Sequence, residues 1–129
     1  MLEDLLRRGN YSLKASFDDW RQRAVEMAEV ARREFGPDQV RGVEAEIAFY
    51  DDVICAVEAG DFTRRTAPVQ RAAVIETTVD AIQQSIERIE ERDVSWRQQG
   101  DDVARSAEET IAYLRSLIEY VKGFATPDR

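Results

Sequence analysis

Carboxylates are the only side chains in this sequence that could assemble a metal-dependent active site. The 129 residues include 26 Asp and Glu, no histidine and one cysteine, Cys55. Ser-His-Asp and Cys-His catalysis are therefore excluded, as are zinc and di-iron sites that need histidine or several thiolates. What remains is a magnesium site built from paired acidic residues on facing helices, as in the all-α nucleotide pyrophosphohydrolases.

The spacing of the acidic residues does not favour that magnesium site. Such hydrolases typically carry Glu-Glu-x-x-Glu together with Glu-x-x-Asp. Four adjacent acidic pairs lack the third acid of the first motif, because Cys55, Val94, Arg105 and Ala112 stand at that position. The run from Glu58 to Asp61 fits the second motif only at the end of a helix. We therefore rank a magnesium-dependent nucleotide hydrolase third among the candidate functions, and we predict no catalytic residue, metal or cofactor.

An acidic segment surrounds the stretch EIAFYDDVICAV, residues 46–57. Between residues 38 and 61 there are seven acidic residues and one basic residue, Arg41, so the segment carries −6 of the net charge of −8. Two interpretations stay open: a solvated helix face, or a recognition face for a basic partner. The candidate partner-binding residues are Asp38, Glu44, Glu46, Asp51, Asp52, Glu58 and Asp61.

Composition narrows the functional classes further. A net charge of −8 argues against nucleic-acid binding, because affinity for phosphate backbones comes largely from Lys and Arg. One cysteine cannot form an intrachain disulfide. No apolar run approaches the ~20 residues of a membrane span, and MLEDLLRRGN is no signal peptide. We expect a cytoplasmic protein whose partners are proteins, with self-association left open.

The apolar periodicity predicts an all-α domain. Four segments repeat apolar residues at i, i+3, i+4 and i+7, which indicates an antiparallel bundle of four main amphipathic helices in one domain, with its core at about residues 16–123. The expected helices run from Ser16 to the Gly-Pro at 36–37, from there to Gly60, from Ala67 to Arg92, and from Ser95 to Lys122. A separate short helix is expected over residues 2–8, ended by Gly9.

The same periodicity predicts which side chains face the core. Met27 and Phe35 belong to the inward stripe of the first long helix, and Val69 to that of the third. Cys55 is expected to be a small buried hydrophobe. The expected inward stripe of the second helix is Ile47, Tyr50, Ile54 and Val57, widened by Phe49 and Val53, with Glu46, Asp51 and Asp52 facing outward.

One stretch of the second helix resembles a known motif. The C-terminal helical region of the restriction (motor) subunits of type I restriction–modification enzymes carries the pattern acidic-x-Ala-Phe-Tyr-Asp-Ala-Leu. Downstream, the family's hydrophobic-x-Trp-x-x-Arg element and its Tyr-Gly-Tyr-Pro-Pro-Asp tail are similar to DVSWR and GFATPD here. The likeness covers about residues 17–128. The residues that carry it are Glu46, Ala48, Phe49, Tyr50, Asp51, Trp96 and Arg97.

The resemblance implies a docking role. In that family the helical region attaches the motor subunit to the methyltransferase–specificity core, and the nuclease and ATPase motifs lie elsewhere. We therefore expect a non-catalytic helical protein–protein docking domain. The alternative is a stand-alone small acidic protein that binds and inhibits a nucleic-acid-handling or defence complex, for example by mimicking DNA.

Overall fold

The computed structural model describes the backbone of residues 2–125 and the side chains of residues 13–92 and 94–125. This part of the chain forms five helices and no strand: α1 (Leu2–Glu34), α2 (Pro37–Ala59), α3 (Ala72–Glu91), α4 (Asp93–Gln98) and α5 (Asp101–Lys122). The prediction of an all-α bundle is thus confirmed. None of the described helices combines the length and apolar character that a membrane crossing requires.

Two helix pairs make up the bundle. α1 packs most extensively against α2, and α3 against α5, while α4 lies on α5. α1 also contacts α5 and, to a smaller extent, α3. The beginning of α3 meets the end of α5, where the amide of Gln70 donates to the carbonyl of Phe124 at 3.0 Å. The second pair is therefore antiparallel and closes over one part of the first.

The core lies where the two pairs meet. Its fully buried side chains come from all four long helices, which is the arrangement that amphipathic stripes of about 100° produce. The core reaches Leu13 and Phe124, just beyond the predicted limits of 16 and 123. The largest apolar members are Phe17, Phe49, Val53, Ile82, Ile86, Leu114, Leu117, Tyr120 and Val121.

The prediction of a separate N-terminal helix is wrong. α1 runs without a break through Gly9 and Ser16, so Gly9 ends no helix and Ser16 caps none. A glycine inside a helix costs only about 1 kcal/mol relative to alanine. Backbone hydrogen bonds on both sides and the extensive packing of α1 on α2 outweigh that cost.

The third helix begins later than predicted. α3 starts at Ala72, and residues 60–71 form a loop that includes Pro68. The carboxylate of Asp52 on α2 accepts hydrogen bonds from the amides of Thr66 and Ala67, both at 2.7 Å, and from the Thr66 hydroxyl at 2.6 Å. Because a side chain already satisfies these amides, the loop needs no helical turn there. Val69 is 56% exposed instead of facing the core.

Glycine and proline mark the other boundaries. α2 begins at Pro37 and is followed by Gly60, whose φ of 66° is the left-handed conformation that favours glycine. Gly100, with φ 122°, separates α4 from α5. Ser95 lies inside the short helix α4, so the prediction that the last long helix begins at Ser95 is wrong.

Candidate functional site

The inward face of α2 is rotated from the predicted one. Phe49 and Val53, expected at the edge of the stripe, are fully buried, whereas Ile47 and Ile54 are half-buried. The ring of Phe124 meets Phe49 edge-on at 4.9 Å, so the end of α5 covers this face of α2. Cys55 is exposed, which contradicts the expectation that it is buried.

Three of the candidate acidic residues form a row along α2 that faces basic residues of α1. Glu58 lies 3.3 Å from Lys14, Glu44 lies 3.8 Å from Arg32, and Asp51 accepts a hydrogen bond from Arg21. These exposed pairs contribute little stability each, typically about 0.2–1 kcal/mol. They do neutralise this side of α2 with charges of the same chain.

The other four candidate acidic residues also have intrachain partners. Asp38 pairs with Arg41, and Glu46 pairs with Arg71. Asp52 holds the loop described above. Asp61 accepts from the amide and hydroxyl of Thr63 at 3.0 and 2.6 Å, and these hydrogen bonds lower the pKa of its carboxyl. The seven residues therefore do not form one unpaired acidic surface.

A metal centre has no counterpart in the described part of the chain. Among those residues, no three Asp, Glu or Cys side chains converge to hold a metal ion. Glu58 is directed to Lys14, and Asp61 to Thr63, so the sequence run that fits Glu-x-x-Asp does not act as a pair. The geometry thus offers no support to the magnesium-hydrolase alternative.

The inner faces of α1 and α2 share one repeating pattern. Both follow alternating steps of four and three residues, which is the a/d spacing of a coiled coil. We call these faces together the seam. Its positions on α1 are Leu13, Phe17, Trp20, Ala24, Met27 and Ala31, and on α2 they are Gln39, Val43, Glu46, Tyr50, Val53 and Val57.

The seam is covered in one part and open in the other. Leu13, Phe17, Val53 and Val57 belong to the core cluster that includes α3 and α5. Beyond Trp20 along α1, Ala24 and Ala31 are still buried, whereas Met27 of the same seam is 51% exposed. The Trp20 ring marks the transition, since it is half-buried and packs at 5.7 Å from Phe17 and 6.2 Å from Tyr50.

The open part of the seam is a groove of about 710 Å³, which we call the tip groove. Its walls are α1 from Trp20 to Ala31, with Phe35 just after the helix, and α2 from Asp38 to Tyr50. Arg71 and Thr77 also line it, and Arg71 pairs with Glu46. Small residues line it, among them Ala24, Ala31 and Gly42.

Two large apolar side chains stand exposed at the tip groove. Met27 is 51% exposed and Phe35 is 54% exposed, although both were predicted to face the core. A side chain added at Gly42 would meet no atom within 4 Å, so the groove is open at that point. The periodicity could not reveal this exposure, because the spacing of the seam is the same where it is covered and where it is open.

The residues of the resemblance are spread over two helices. On α2, Phe49 and Tyr50 are buried, Ala48 is half-buried, and Glu46 and Asp51 make the ion pairs described above. On α4, Trp96 is half-buried and donates its indole N–H to the carbonyl of Ile89 at 3.0 Å. Arg97 lies 4.0 Å from Glu108. Residues 126–128 of the tail that resembles the family lie outside the described residues.

The fold and the tip groove define a helical bundle that opens an apolar groove to solvent. Comparison with known proteins finds no matching family model, no matching curated protein and no matching solved structure.

Proposed function

We propose that this chain is a non-catalytic protein–protein docking domain and that the tip groove is its docking face. The observation that carries the proposal is the exposure of Met27 and Phe35 beside a groove that continues the hydrophobic seam. Exposed apolar side chains that cluster on a helical bundle mark interaction surfaces more often than exposed apolar side chains that are scattered. Covering them would gain roughly 25 cal/mol per Å² of apolar area removed from water.

The shape of the groove suits helical partners. Its α1 wall, from Trp20 to Phe35, is about 22 Å long at 1.5 Å per residue, which corresponds to about four helical turns. An amphipathic helix laid along such a groove presents anchors at i, i+3, i+4 and i+7. The alanines and Gly42 that line the groove allow a close approach of another helix backbone.

The acidic row of α2 is not part of this docking face. Glu44, Asp51 and Glu58 are paired with α1, on a side of the helix pair that does not line the groove. A DNA mimic would present such carboxylates unpaired. The docking proposal therefore rests on apolar contact, with charge in a secondary role.

The resemblance suggests which partner to test first: the methyltransferase–specificity core of a type I restriction–modification enzyme. The experiment is a pull-down from the native host with the tagged chain, read by mass spectrometry. We expect the wild type to recover methyltransferase and specificity subunits and a Met27→Glu/Phe35→Glu variant to lose them. Val94→Glu is the matched control, because Val94 on α4 is 68% exposed and does not line the groove.

Two outcomes would contradict the proposal. One is equal recovery of these subunits by the groove variant and by the control. The other is recovery of neither subunit together with metal-dependent nucleotide hydrolysis by the purified chain, which would favour the hydrolase alternative.

A further inference from the structure

We propose that the tip groove recognises an amphipathic partner helix that carries one carboxamide side chain, Asn or Gln, within its apolar stripe. The carboxamide binds a polar cluster of Tyr50, Glu46 and Arg71, at the end of the groove where Tyr50 joins the covered core. The inference rests on the proposed function, since it concerns the same groove. It adds which helices the groove accepts and which it rejects.

Tyr50 brings an unpartnered hydroxyl to the groove. The residue is only 9% exposed, and it is the last residue of α2 that lines the groove. The rings of Trp20 and Phe49 pack against its ring at 6.2 and 5.4 Å between centroids. No hydrogen bond joins its hydroxyl to any residue that the structure describes. Because a buried hydroxyl without a partner is unfavourable, an occupant that supplies one gains affinity.

The Tyr50 hydroxyl is a donor at neutral pH. Burial, reinforced by the charge of Glu46 and opposed by that of Arg71, raises the pKa of Tyr50 above its ordinary value. The phenol therefore keeps its proton and can donate a hydrogen bond. The group that meets it must contain an acceptor oxygen.

Glu46 is an acidic residue at an inward position of the seam. It lies one helical turn before Tyr50, and its side chain is only 16% exposed. One carboxylate oxygen accepts a hydrogen bond from Arg71. The other oxygen makes no hydrogen bond to a residue of the described part of the chain, so it can accept one from an occupant.

The charges of the groove favour a neutral group at this point. Each described charged side chain that lines the groove already pairs within the chain, so a charged occupant finds no unpaired opposite charge. A carboxylate would be repelled by Glu46, and an ammonium would meet Arg71 and could not accept from Tyr50. A carboxamide accepts through its oxygen and donates through its nitrogen, which satisfies Tyr50 and Glu46 together. The ion pairs of the lining residues are Arg23–Asp19, Arg41–Asp38 and Arg71–Glu46.

The first test selects the preferred helix from a defined library. Displayed amphipathic helical peptides, with each stripe position varied among Leu, Phe, Ala, Gln, Glu and Lys, are selected against the wild type and against Tyr50→Phe. We expect wild-type binders to carry Gln at one stripe position and Tyr50→Phe binders to carry an apolar residue there, because a site with a buried donor rejects a partner without an acceptor. Wild-type binders that are apolar throughout, or that carry Glu or Lys at that position, overturn the inference.

The second test is a double-mutant cycle with a selected peptide. Tyr50→Phe is expected to weaken its binding about five- to tenfold, and Gln→Leu in the peptide to weaken it at least as much. The two changes together should be no worse than Gln→Leu alone, since both remove the same hydrogen bond. Tyr113→Phe, which removes a hydroxyl outside the groove, is the matched control and should bind as the wild type does. Additive losses would overturn the contact between Tyr50 and the carboxamide.

The third test separates recognition from a role in the fold. Tyr50→Phe removes no described hydrogen bond, so the free variant should unfold at the wild-type temperature. Tyr120→Phe is the comparison and should unfold at a lower temperature, because it loses the 2.6 Å hydrogen bond to the carbonyl of Arg64. If Tyr50→Phe were destabilised as much as Tyr120→Phe, its hydroxyl would serve the fold and the inference would be wrong.

The two proposals can fail separately. Binders that are apolar throughout and that Met27→Glu/Phe35→Glu no longer binds would overturn the carboxamide and leave docking through the groove standing. Binders that carry Gln, together with equal recovery of the methyltransferase and specificity subunits by the groove variant, would support the recognition site and contradict the partner named above. No groove-dependent binder at all would contradict the inference.

Discussion

The α1–α2 pair presents one pattern in two environments. Near Phe17 and Val53 the seam lies under α3 and α5 and is fully buried, whereas near Met27 and Phe35 the same spacing faces solvent. The two halves differ in what covers them and share the periodicity of their residues. A hydrophobic stripe therefore indicates that a helix face needs a packing partner. Whether the same chain provides that partner depends on how far the neighbouring helices extend.

The largest expected change in the free energy of unfolding comes from truncating an aromatic ring in the covered half, compared with the same truncation in the open half. Phe49→Ala removes a fully buried side chain that packs against Phe124 and should lower the free energy of unfolding by about 3–5 kcal/mol. Phe35→Ala in the open half should change the free energy of unfolding by about 1 kcal/mol or less. Urea unfolding of the two variants and the wild type measures both changes. Similar losses for the two variants would show that the halves are equally covered.

A smaller effect is expected at the covered end of α5. The Arg65 guanidinium donates to the carbonyl of Tyr120 from Nε and Nη2, both at 3.1 Å, and lies over the Tyr120 ring at 4.8 Å from its centroid. It thereby adds charged donors to one carbonyl in the last turn of α5, which also accepts from the amide of Gly123 at 3.2 Å. Arg65→Ala should cost about 2 kcal/mol. Arg23→Ala in the open half is the comparison and should cost little, since Arg23 makes only an exposed pair with Asp19.

The Tyr120 hydroxyl should make stability depend on pH in the alkaline range. It donates to the carbonyl of Arg64 at 2.6 Å, and burial, reinforced by the charge of Asp52, raises the pKa of Tyr120 to about 12. Because the folded pKa lies above the unfolded value, this contribution is complete below pH 10 and is lost as the pH rises toward 12.

Tyr120→Phe isolates that contribution. It should lose about 1 kcal/mol at neutral pH through the missing hydrogen bond and should show a shallower decline between pH 10 and 12 than the wild type. Thermal unfolding across that range measures the difference. Parallel curves for the two proteins would contradict the assignment of the decline to Tyr120.

The smallest expected effect has the opposite sign and lies in the open half. Gly42 is inside α2, and an added methyl group there meets no atom within 4 Å. Gly42→Ala should therefore stabilise the monomer by about 0.5–1 kcal/mol. Thermal unfolding measures the gain. A lower unfolding temperature for Gly42→Ala would show that the added methyl group does not fit at this position.

Local chemistry explains which parts of the fold were predictable. Gly36, Pro37 and Gly60 act on their own backbone, so the helix boundaries they mark agree with the structure. The loop at residues 60–71 depends on Asp52, which is distant in sequence, and the prediction of a helix at Pro68 failed for that reason.

The candidate site was harder to predict. The acidic residues of α2 stood out in the sequence, but their basic partners on α1 lie 12 to 44 residues earlier, beyond the three or four residues over which a helix pairs its own side chains. The spacing of Met27 and Phe35 predicted that both face the core, and that prediction is wrong. Their exposure follows from where α3 begins and α5 ends, which no local pattern encodes.

The hydrogen bonds that hold the loop at residues 60–71 restrict the motion of the two helix pairs relative to each other. The Asp52 carboxylate on α2 accepts hydrogen bonds from the loop amides of Thr66 and Ala67. The Tyr120 hydroxyl on α5 donates a hydrogen bond to the loop carbonyl of Arg64. The loop therefore joins the two helix pairs rigidly, whereas a long irregular connection would ordinarily act as a hinge. The amide protons of Thr66 and Ala67 should accordingly exchange with solvent far more slowly than their exposed position in a loop suggests, on the timescale on which the pairs separate.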